Sequence, residues 1–340
     1  MRAELQGTAL LHVAGGFHVA RALYVAASLG VADLLGDGPK SGAELAKATG
    51  THERSLWRVM RLLACEGVFA EDDSGRFALT PLSNRLRTGP AGSLRDLVVH
   101  QLGGEAYEAW GELMACVRTG ETAFDHAFGL GVWEYRARHA EYAALFDAAM
   151  SNFSGAHVDA VLDAYPFAAF RRVVDIGGGA GEFLIALLSA HPDMKGVLFD
   201  LPHVAERARE RIARAGLADR CEILGGDVFA GVREGADAYV LSRVIHDWDN
   251  TRALAILRSC RRAMPRGGRL LLIERILPAA TDLSPATRSL FTSDLMMMVM
   301  NGGGERTEEE YRALVRQAGF APAKVTPTRS AVSVIEAQPA

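Results

Sequence analysis

The sequence predicts an α/β fold in two parts, with a mainly helical first part and a mostly parallel β-sheet in the second. In the first part, apolar residues recur with helical spacing and are bounded by capping and turn residues. After Arg171, short apolar runs such as "RVVDIG", "GVLFDL" and "GRLLLIERIL" alternate with helical segments, as buried parallel strands do. This change in pattern predicts that the sheet begins near residue 171.

Length and composition limit the architecture and the partners. The 340 residues exceed the usual size of one domain, and 49% of them are apolar. We predict a first domain over residues 1–100 and a second over residues 101–340, whose helical part ends near residue 160. A net charge of −4 gives no general attraction to nucleic acid or anionic membranes. The four cysteines form no C-x-x-C pair, which is typical of free thiols in the cytoplasm.

The apolar stretch from Leu10 to Leu35 is the one candidate for an export or membrane signal. His12, His18 and Arg21 interrupt it, so we interpret it as a helix of a soluble protein. The stretch is long and rich in small residues, and it needs a partner surface to cover it. A second copy of the chain is the simplest partner, so we expect a homodimer.

Two helices and a hairpin are predicted between residues 41 and 79. Ser41 and Glu44 form a capping box, Gly50 ends that first helix, and Thr51 is placed to cap the second. The apolar face of the second helix consists of Leu56, Val59, Met60 and Leu63. Strands at 68–71 and 76–79 follow, joined by "DDSG". This order is typical of a winged helix.

A winged helix can bind DNA, and Arg54, Arg58 and Arg61 on the second helix are the candidate contacts. In an acidic chain, three arginines more often form a solvated face. Self-association is therefore the preferred role of this module, and no nucleic-acid partner is expected.

The run "VVDIGGGAGEF", Val173 to Phe183, is a strand that breaks into glycines and continues as a helix. Such a loop lets a ligand approach the backbone without meeting Cβ atoms. Its glycines form G-x-G-x-G instead of the dinucleotide pattern G-x-G-x-x-G, and Glu182 at the helix start disfavours a pyrophosphate. A cofactor with a zwitterionic amino-acid end is the preferred ligand, and a plain strand-to-helix turn is the alternative.

Acidic residues end three successive predicted strands. Asp175 precedes the glycine loop, and Asp200 at the next strand tip is placed to accept hydrogen bonds from a ribose diol. Asp227 follows the third strand, where Val228 and Phe229 suit an adenine ring. Each acid alone could cap a helix. Together they line the carboxyl edge of one sheet, where α/β folds bind ligands.

Six motifs occur in the order "VVDIGGGAGEF", "FDLPHV", "GGDVF", "HDWDN", "IERILP" and "GGGERT". In this order they resemble the S-adenosylmethionine-dependent O-methyltransferases that act on plant phenolics and, in bacteria, on antibiotic and pigment precursors. The resemblance covers most of the chain. It implies an N-terminal winged-helix dimerisation domain, a Rossmann-like methyltransferase sheet and S-adenosyl-L-methionine as the cofactor.

The resemblance also assigns site residues. The cofactor positions of the family fall on Gly177, Asp200, Asp227 and Val228, and Ser242 stands where plant members carry a lysine. A hydroxyl or a backbone group at Ser242 could still bond the methionyl end.

The resemblance places the catalytic base on His246 and two flanking acids on Glu274 and Glu305. The chemistry agrees, because a neutral imidazole can take a phenolic proton and a carboxylate can fix its tautomer. Methyl transfer from a sulfonium needs positioning and proton removal, so no metal is expected. The alternative role for His246 is to cap the helix that starts near Asn250.

Four apolar residues are candidates for an aromatic acceptor pocket. Met297 lies in "SDLMMMVMNGGGERT", although methionine stripes are more often core filler. "FDAAMSNFSG" is similar to the family's substrate-facing helix, which makes Phe146, Met150 and Phe153 candidates as well.

The sequence therefore predicts methyl transfer to a hydroxyl of an aromatic small molecule in bacterial secondary metabolism. Three alternatives stay open: N- or C-methylation, hydroxylation or decarboxylation that uses the same cofactor, and a winged-helix regulator that senses it. A complete set of His246, Glu274 and Glu305 favours methylation of a hydroxyl.

Overall fold

The structure, a computed structural model, describes residues 2–89 and 92–340, and the side chains outside residues 2–6 and 151–156. The chain divides into two compact units. The first comprises Met1–Tyr107 and Ala144–Phe153, and the second comprises Glu108–Ala143 and Ser154–Ala340. The segment Ala144–Phe153, which the sequence assigns to the second domain, therefore packs with the first unit.

The first unit is mainly helical, with a small antiparallel sheet in the order β1-β3-β2. Its helices are α1 (Arg2–Ser28), α2 (Val31–Leu34), α3 (Gly42–Thr49), α4 (Glu53–Cys65) and α5 (Arg95–Leu102). Its strands are β1 (Lys40–Ser41), β2 (Phe69–Glu71) and β3 (Arg76–Leu79), and a 3₁₀ turn follows at Ser83–Leu86.

Local sequence signals account for these elements. Ser41 and Glu44 form the predicted capping box, and Gly50 ends α3 with φ at 67°. Leu56, Met60 and Leu63 of α4 lie in the buried core. The prediction for Thr51 is wrong: His52 occupies the N-cap of α4, where its side chain caps no backbone N–H and instead meets the Ser55 hydroxyl at 2.9 Å, and the Thr51 hydroxyl lies 2.8 Å from that of Thr49.

Helix α1 is buried only along its second half. Ala22, Ala26 and Ala27 are buried in the core of the first unit. The first half exposes apolar side chains, with exposed fractions of 70% at Leu10, 73% at Leu11, 74% at Val13 and 55% at Phe17. By length and composition alone, Gly7–Ser28 could cross a membrane, and it is the one such helix among the described residues.

Five helices lead from the first unit to the sheet of the second. They are α6 (Gly104–Gly111), α7 (Leu113–Thr119), α8 (Ala123–Phe128), α9 (Val132–Arg138) and α10 (Ala140–Ala164).

The second unit is built on a seven-stranded sheet in the order β11-β12-β8-β7-β4-β5-β6. The strands are β4 (Arg172–Ile176), β5 (Lys195–Asp200), β6 (Cys221–Gly225), β7 (Ala238–Ser242), β8 (Arg269–Glu274), β11 (Lys324–Pro327) and β12 (Ser333–Ala337). Strands β4 to β8 pair in parallel, whereas β12 is antiparallel to both β8 and β11. The predicted α/β class with a parallel sheet and an N-terminal helical module is confirmed.

Helices cover the sheet and bury its two faces in separate apolar clusters. They are the end of α10 together with α11 (Glu182–Ala190), α12 (Pro202–Arg214), α13 (Asn250–Ala263) and α15 (Glu308–Gln317), whereas α14 (Pro285–Met300) packs against α8. Two short strands, β9 (Ile276–Leu277) and β10 (Arg306–Thr307), pair in parallel, with Arg306 opposite Ile276. This pairing places Glu305 beside the end of β8.

The direction of chain progression reverses at β4, which has β5 on one side and β7 on the other. The loops after β4 and β7 therefore leave the sheet side by side, the usual position of a ligand crevice in such folds. The glycine loop follows β4, and the segment that carries His246 follows β7. The topology thus brings the two main motifs to one edge.

Candidate active site

The glycine loop is held in conformations that favour glycine. Gly177, Gly179 and Gly181 have φ values of 69°, 57° and 88°, in the left-handed region. A Cβ on Gly177 would lie 2.6 Å from Val244 Cγ2, so the loop packs directly against the segment that carries His246. Glu182, which begins α11, forms an ion pair with Arg211 of α12.

Asp200 braces this loop through its carboxylate. Gly179 donates its backbone N–H to Asp200 Oδ2 at 2.8 Å, and Leu201 donates to Oδ1 at 2.6 Å. Each carboxylate oxygen can accept more than one hydrogen bond, so a ribose diol can still bind here. Asp200 was expected only to bind the cofactor, but it also orders the loop that would hold it.

Asp175 lies at the base of the loop and is fully buried. Burial, together with Asp200 and Glu182, raises the pKa of Asp175 to about 7. Both of its carboxylate oxygens lack a hydrogen-bond partner among the described residues. A buried acid of this kind fits a cationic ligand group, because a positive charge nearby would stabilise its ionised form.

The expected adenine side of the crevice is formed after β6. Asp227 Oδ1 accepts the backbone N–H of Phe229 at 2.9 Å, which fixes the turn that carries Val228. Phe229 contacts Trp248 edge to face, with ring centroids 5.1 Å apart. Trp248 is therefore a candidate wall residue that sequence reasoning missed, although it lies in the quoted "HDWDN". Ser242 is half-buried at the end of β7.

His246 is buried, with 3% of its surface exposed, in a 3₁₀ turn at Ile245–Asp247. Its Nδ1 atom lies 3.0 Å from Glu305 Oε1 and 3.9 Å from Glu274 Oε2. Its other nitrogen, Nε2, lies 3.6 Å from Asp247 Oδ1. The alternative capping role for His246 is wrong, because the Asp249 side chain caps α13.

Glu274 ends β8 and binds the backbone that precedes His246. Its Oε1 accepts the N–H groups of Val244 at 3.1 Å and Ile245 at 2.8 Å. These amides converge because Arg243 has φ at 56°, an uncommon conformation for a residue other than glycine. This left-handed residue lies between the end of β7 and the turn that carries His246.

Glu305 reaches His246 through a glycine segment. Gly304 donates its N–H to the His246 carbonyl at 2.9 Å, and a Cβ on Gly303 would lie 2.1 Å from that oxygen. Arg306 fixes the same segment, since its guanidinium donates to the carbonyls of Ile245 at 3.1 Å and Trp248 at 2.7 Å. Sequence reasoning missed this supporting role of Arg306.

The pKa values of the two acids around His246 are shifted in opposite directions. Burial raises the pKa of Glu274 to about 7, although His246 acts in the opposite direction. Burial also opposes the ionisation of Glu305, but His246 and Ser293 outweigh it and hold its pKa at about 2. The imidazolium of His246 is disfavoured by burial and stabilised by Glu274 and Glu305, with the net result that its pKa is raised above 6.5.

This pattern determines which nitrogen can act as a base. Because Glu305 is ionised, the hydrogen bond at Nδ1 requires a proton on Nδ1 of His246. In the neutral ring, Nε2 then carries the free lone pair. The polar atoms of His246, Glu274 and Glu305 lie within 4.8 Å of one another, but the nitrogen that faces the two acids is the protonated Nδ1, which has no lone pair to offer a metal ion.

The predicted acceptor-pocket residues are distributed over both units. Met297 is half-buried on α14, and its sulfur lies 4.0 Å from the side-chain nitrogen of Asn301. Phe146 and Met150 belong to the first unit, where Phe146 meets His100 edge to face. The side chain of Phe153 lies outside the described residues.

Comparisons with known proteins identify the family of this chain. The family model described as the O-methyltransferase domain matches residues 110–321, and the model of the O-methyltransferase dimerisation domain matches residues 11–89. A phenazine O-methyltransferase of Lysobacter antibioticus is 44% identical over 90% of this chain and 89% of its own length. The mitomycin biosynthesis 6-O-methyltransferase of Streptomyces lavendulae is 41% identical over 85% and 81%.

A solved structure adds a bound cofactor to the comparison. An O-methyltransferase from neocarzinostatin biosynthesis, in complex with S-adenosylmethionine and 2-hydroxy-5-methyl naphthoic acid, has a TM-score of 0.82 to this chain at 35% identity. The match covers 94% of this chain and 96% of that protein. With both family domains matched in order and close relatives matched over most of its length, the chain belongs to the O-methyltransferase family.

Proposed function

We propose that this chain transfers the methyl group of S-adenosyl-L-methionine to a hydroxyl of an aromatic small molecule, with His246 as the general base, in the biosynthesis of a bacterial antibiotic-type metabolite. The observation that carries the proposal is the hydrogen bond of 3.0 Å between His246 Nδ1 and an ionised Glu305. It leaves Nε2 as the proton acceptor at the edge of the sheet where the glycine loop lies.

S-adenosylmethionine is the cofactor, and it supplies a methyl group on a positively charged sulfur that is a good leaving group. The glycine loop at Gly177 would let its methionyl end lie against the backbone, and Asp200 would hold the ribose. The orphaned carboxylate of Asp175 suits the positive charge of the ligand. Asp227 and Val228 would contact the adenine, with Phe229 and Trp248 beside them.

His246 would remove the proton of the acceptor hydroxyl at Nε2 while the hydroxyl oxygen forms its bond to the methyl group and the bond between that methyl group and the sulfur breaks, which would leave S-adenosylhomocysteine. The ring becomes an imidazolium, whose Nδ1–H is directed at Glu305. Glu274 holds the backbone of Val244 and Ile245, so it fixes the position of the base. This division of roles uses two acids for different tasks, orientation by Glu274 and charge stabilisation by Glu305.

The test is incubation of the purified protein with S-adenosylmethionine labelled in the methyl group and a panel of hydroxyphenazines, hydroxyquinones and hydroxynaphthoic acids. We expect labelled methyl ethers to form from at least one of these acceptors. The matched control is the same ring with the hydroxyl already methylated, which should take up no label. Label that appears on an amine analogue instead would contradict the proposal of O-methylation.

We further propose that the first domain, residues 1–100, is a winged-helix module that makes the chain a cytoplasmic homodimer. The dimerisation match begins at residue 11 of α1, where the side chains of Leu10, Leu11 and Val13 are exposed. Two of the three arginines considered for DNA are engaged locally, since the guanidinium carbons of Arg54 and Arg61 lie 4.1 and 4.8 Å from the centroid of the Trp57 ring. The four free cysteines suit a reducing compartment.

Leu11→Glu should convert the dimer to a monomer, because it places a charge in the apolar surface that a second copy would bury. Light scattering in detergent-free buffer at micromolar concentration measures this change. Ala48→Glu, which adds the same charge at an exposed position of α3, is the matched control and should remain dimeric. A wild-type chain that is monomeric in this buffer and binds lipid vesicles would contradict self-association.

A further inference from the structure

One oxygen of Glu305 accepts two side-chain hydrogen bonds. His246 Nδ1 lies 3.0 Å from Glu305 Oε1, and the Ser293 hydroxyl of α14 donates to the same atom at 2.7 Å. The other oxygen, Oε2, is buried and has no hydrogen-bond partner in the described part of the chain. The negative charge that faces His246 is therefore shared between the imidazole and a hydroxyl that the mechanism does not use.

We propose that Ser293 is a positioning residue for the general base, whose hydroxyl holds Glu305 Oε1 against His246 Nδ1 and moderates the attraction of that oxygen for the Nδ1 proton. The proposal rests on the proposed role of His246 as the base. A carboxylate oxygen with a second donor is less basic, so it stabilises an imidazolium less strongly. Without this hydroxyl, His246 would stay protonated to higher pH and would be a base in a smaller fraction of molecules.

Removal of the hydroxyl should leave Glu305 in place, because the backbone is held separately. Asp294 Oδ1 accepts the Glu305 N–H at 2.9 Å, and Arg306 is anchored to the turn that carries His246. The titratable and charged groups that face His246 and Glu305 from the neighbouring elements are Asp247, Glu274, Asp294, Arg243, Arg275 and Tyr311. All of these groups are retained in a Ser293 variant, so a shift in the pKa of His246 can be assigned to the loss of the Ser293 hydroxyl.

The first experiment follows the His246 ring directly. In protein labelled with ¹³C at the histidine Cε1 position and saturated with S-adenosylhomocysteine, NMR titration gives the pKa of His246, whose signal is identified by its loss in His246→Asn. Ser293→Ala should raise this pKa by about 0.5 to 1 unit, the size expected for one lost hydrogen bond. Ser293→Thr retains the hydroxyl and should restore the wild-type value.

The control is Thr292→Ala, which removes the neighbouring hydroxyl of α14, one that is exposed and donates to the Arg288 carbonyl at 2.8 Å. Thr292→Ala should leave the titration unchanged. An unchanged pKa in Ser293→Ala, or the same shift in Thr292→Ala, would overturn the proposal.

The second experiment is the pH profile of kcat with the best acceptor of the labelled-methyl panel. Ser293→Ala should move the acid limb upward by the same 0.5 to 1 unit, while the alkaline plateau stays within about twofold of wild type. A merely structural role would instead lower kcat by one factor at every pH, which would contradict the inference. Full activity of His246→Ala would refute the role of His246 as the base. The effect of Ser293→Ala on the pKa of His246 could still be measured by NMR, so the two proposals can fail separately.

Discussion

His246→Ala should lower kcat by about 10² to 10⁴-fold on a weakly acidic phenol at about pH 7, with the affinity for S-adenosylmethionine nearly unchanged. The reason is geometric, since Nε2 is the free nitrogen of the buried ring and Nδ1 is bound to Glu305 at 3.0 Å. Stopped assays with labelled cofactor measure kcat, and calorimetry measures cofactor affinity. His52→Ala, which removes an exposed histidine of the first unit, is the control and should be fully active.

The pH dependence of this loss follows from the charges around the ring. Because the pKa of His246 is raised above 6.5, the neutral ring that acts as a base is lost as the pH falls through that raised value, and wild-type kcat should fall with it. The variant lacks this group, so its rate should instead rise with pH as the acceptor itself ionises. A phenol that is already ionised at about pH 8 should therefore lose much less from the substitution.

One result would contradict the role of His246 as the general base and leave it only a structural role. If His246→Ala keeps full kcat on a weakly acidic phenol at about pH 7, proximity to the sulfonium must drive the reaction, or the acceptor atom is not a hydroxyl oxygen. Removal of Glu274 or of Glu305 should lower kcat less than removal of His246, because either variant still has Nε2 of His246 as the base.

Asp200→Ala should weaken binding of S-adenosylmethionine by at least about tenfold. The carboxylate is proposed to accept two hydrogen bonds from the ribose, and bonds to a charged group contribute roughly 1.5 to 3 kcal/mol each. The structure adds a second reason, because the same carboxylate holds the N–H of Gly179 at 2.8 Å and that of Leu201 at 2.6 Å. Its removal therefore loosens the glycine loop as well as the ribose site.

Isothermal calorimetry with S-adenosylhomocysteine measures this loss in a variant shown to be folded by circular dichroism. The matched control is Asp193→Ala, which removes an exposed acid before β5, at the opposite end of that strand. It should bind as the wild type does. Equal affinity in Asp200→Ala and Asp193→Ala would refute the assignment of Asp200 to the cofactor.

Much of the fold could be predicted from the sequence because its signals are local. The capping box at Ser41 and the helix end at Gly50 involve residues within one helix. Strands β4, β5 and β7 consist mostly of buried apolar residues, since a parallel strand is buried on both faces. The order of these runs, with a glycine loop after β4, was enough to predict which edge of the sheet binds the ligand.

Residues in the motifs of a known family could also be assigned from the sequence, but their geometry could not. His246, Glu274 and Glu305 are separated by long segments, and only the parallel pairing of β9 with β10 brings Glu305 to the end of β8. The left-handed backbone at Arg243 and the close approach of Gly303 to the His246 carbonyl are equally products of packing. No local pattern marks such contacts.

Ser293 shows most clearly what only the tertiary structure decided. In the sequence it is one serine at the start of "SDLMMMVMNGGGERT", and no motif marks it as a functional residue. In the fold, its hydroxyl lies 2.7 Å from the carboxylate that binds the base. The sequence alone determined the class of fold, the order of its elements and the chemistry of the candidate groups. Which atoms meet depends on how distant segments pack, because a hydrogen bond requires a distance and a direction that composition and spacing do not specify.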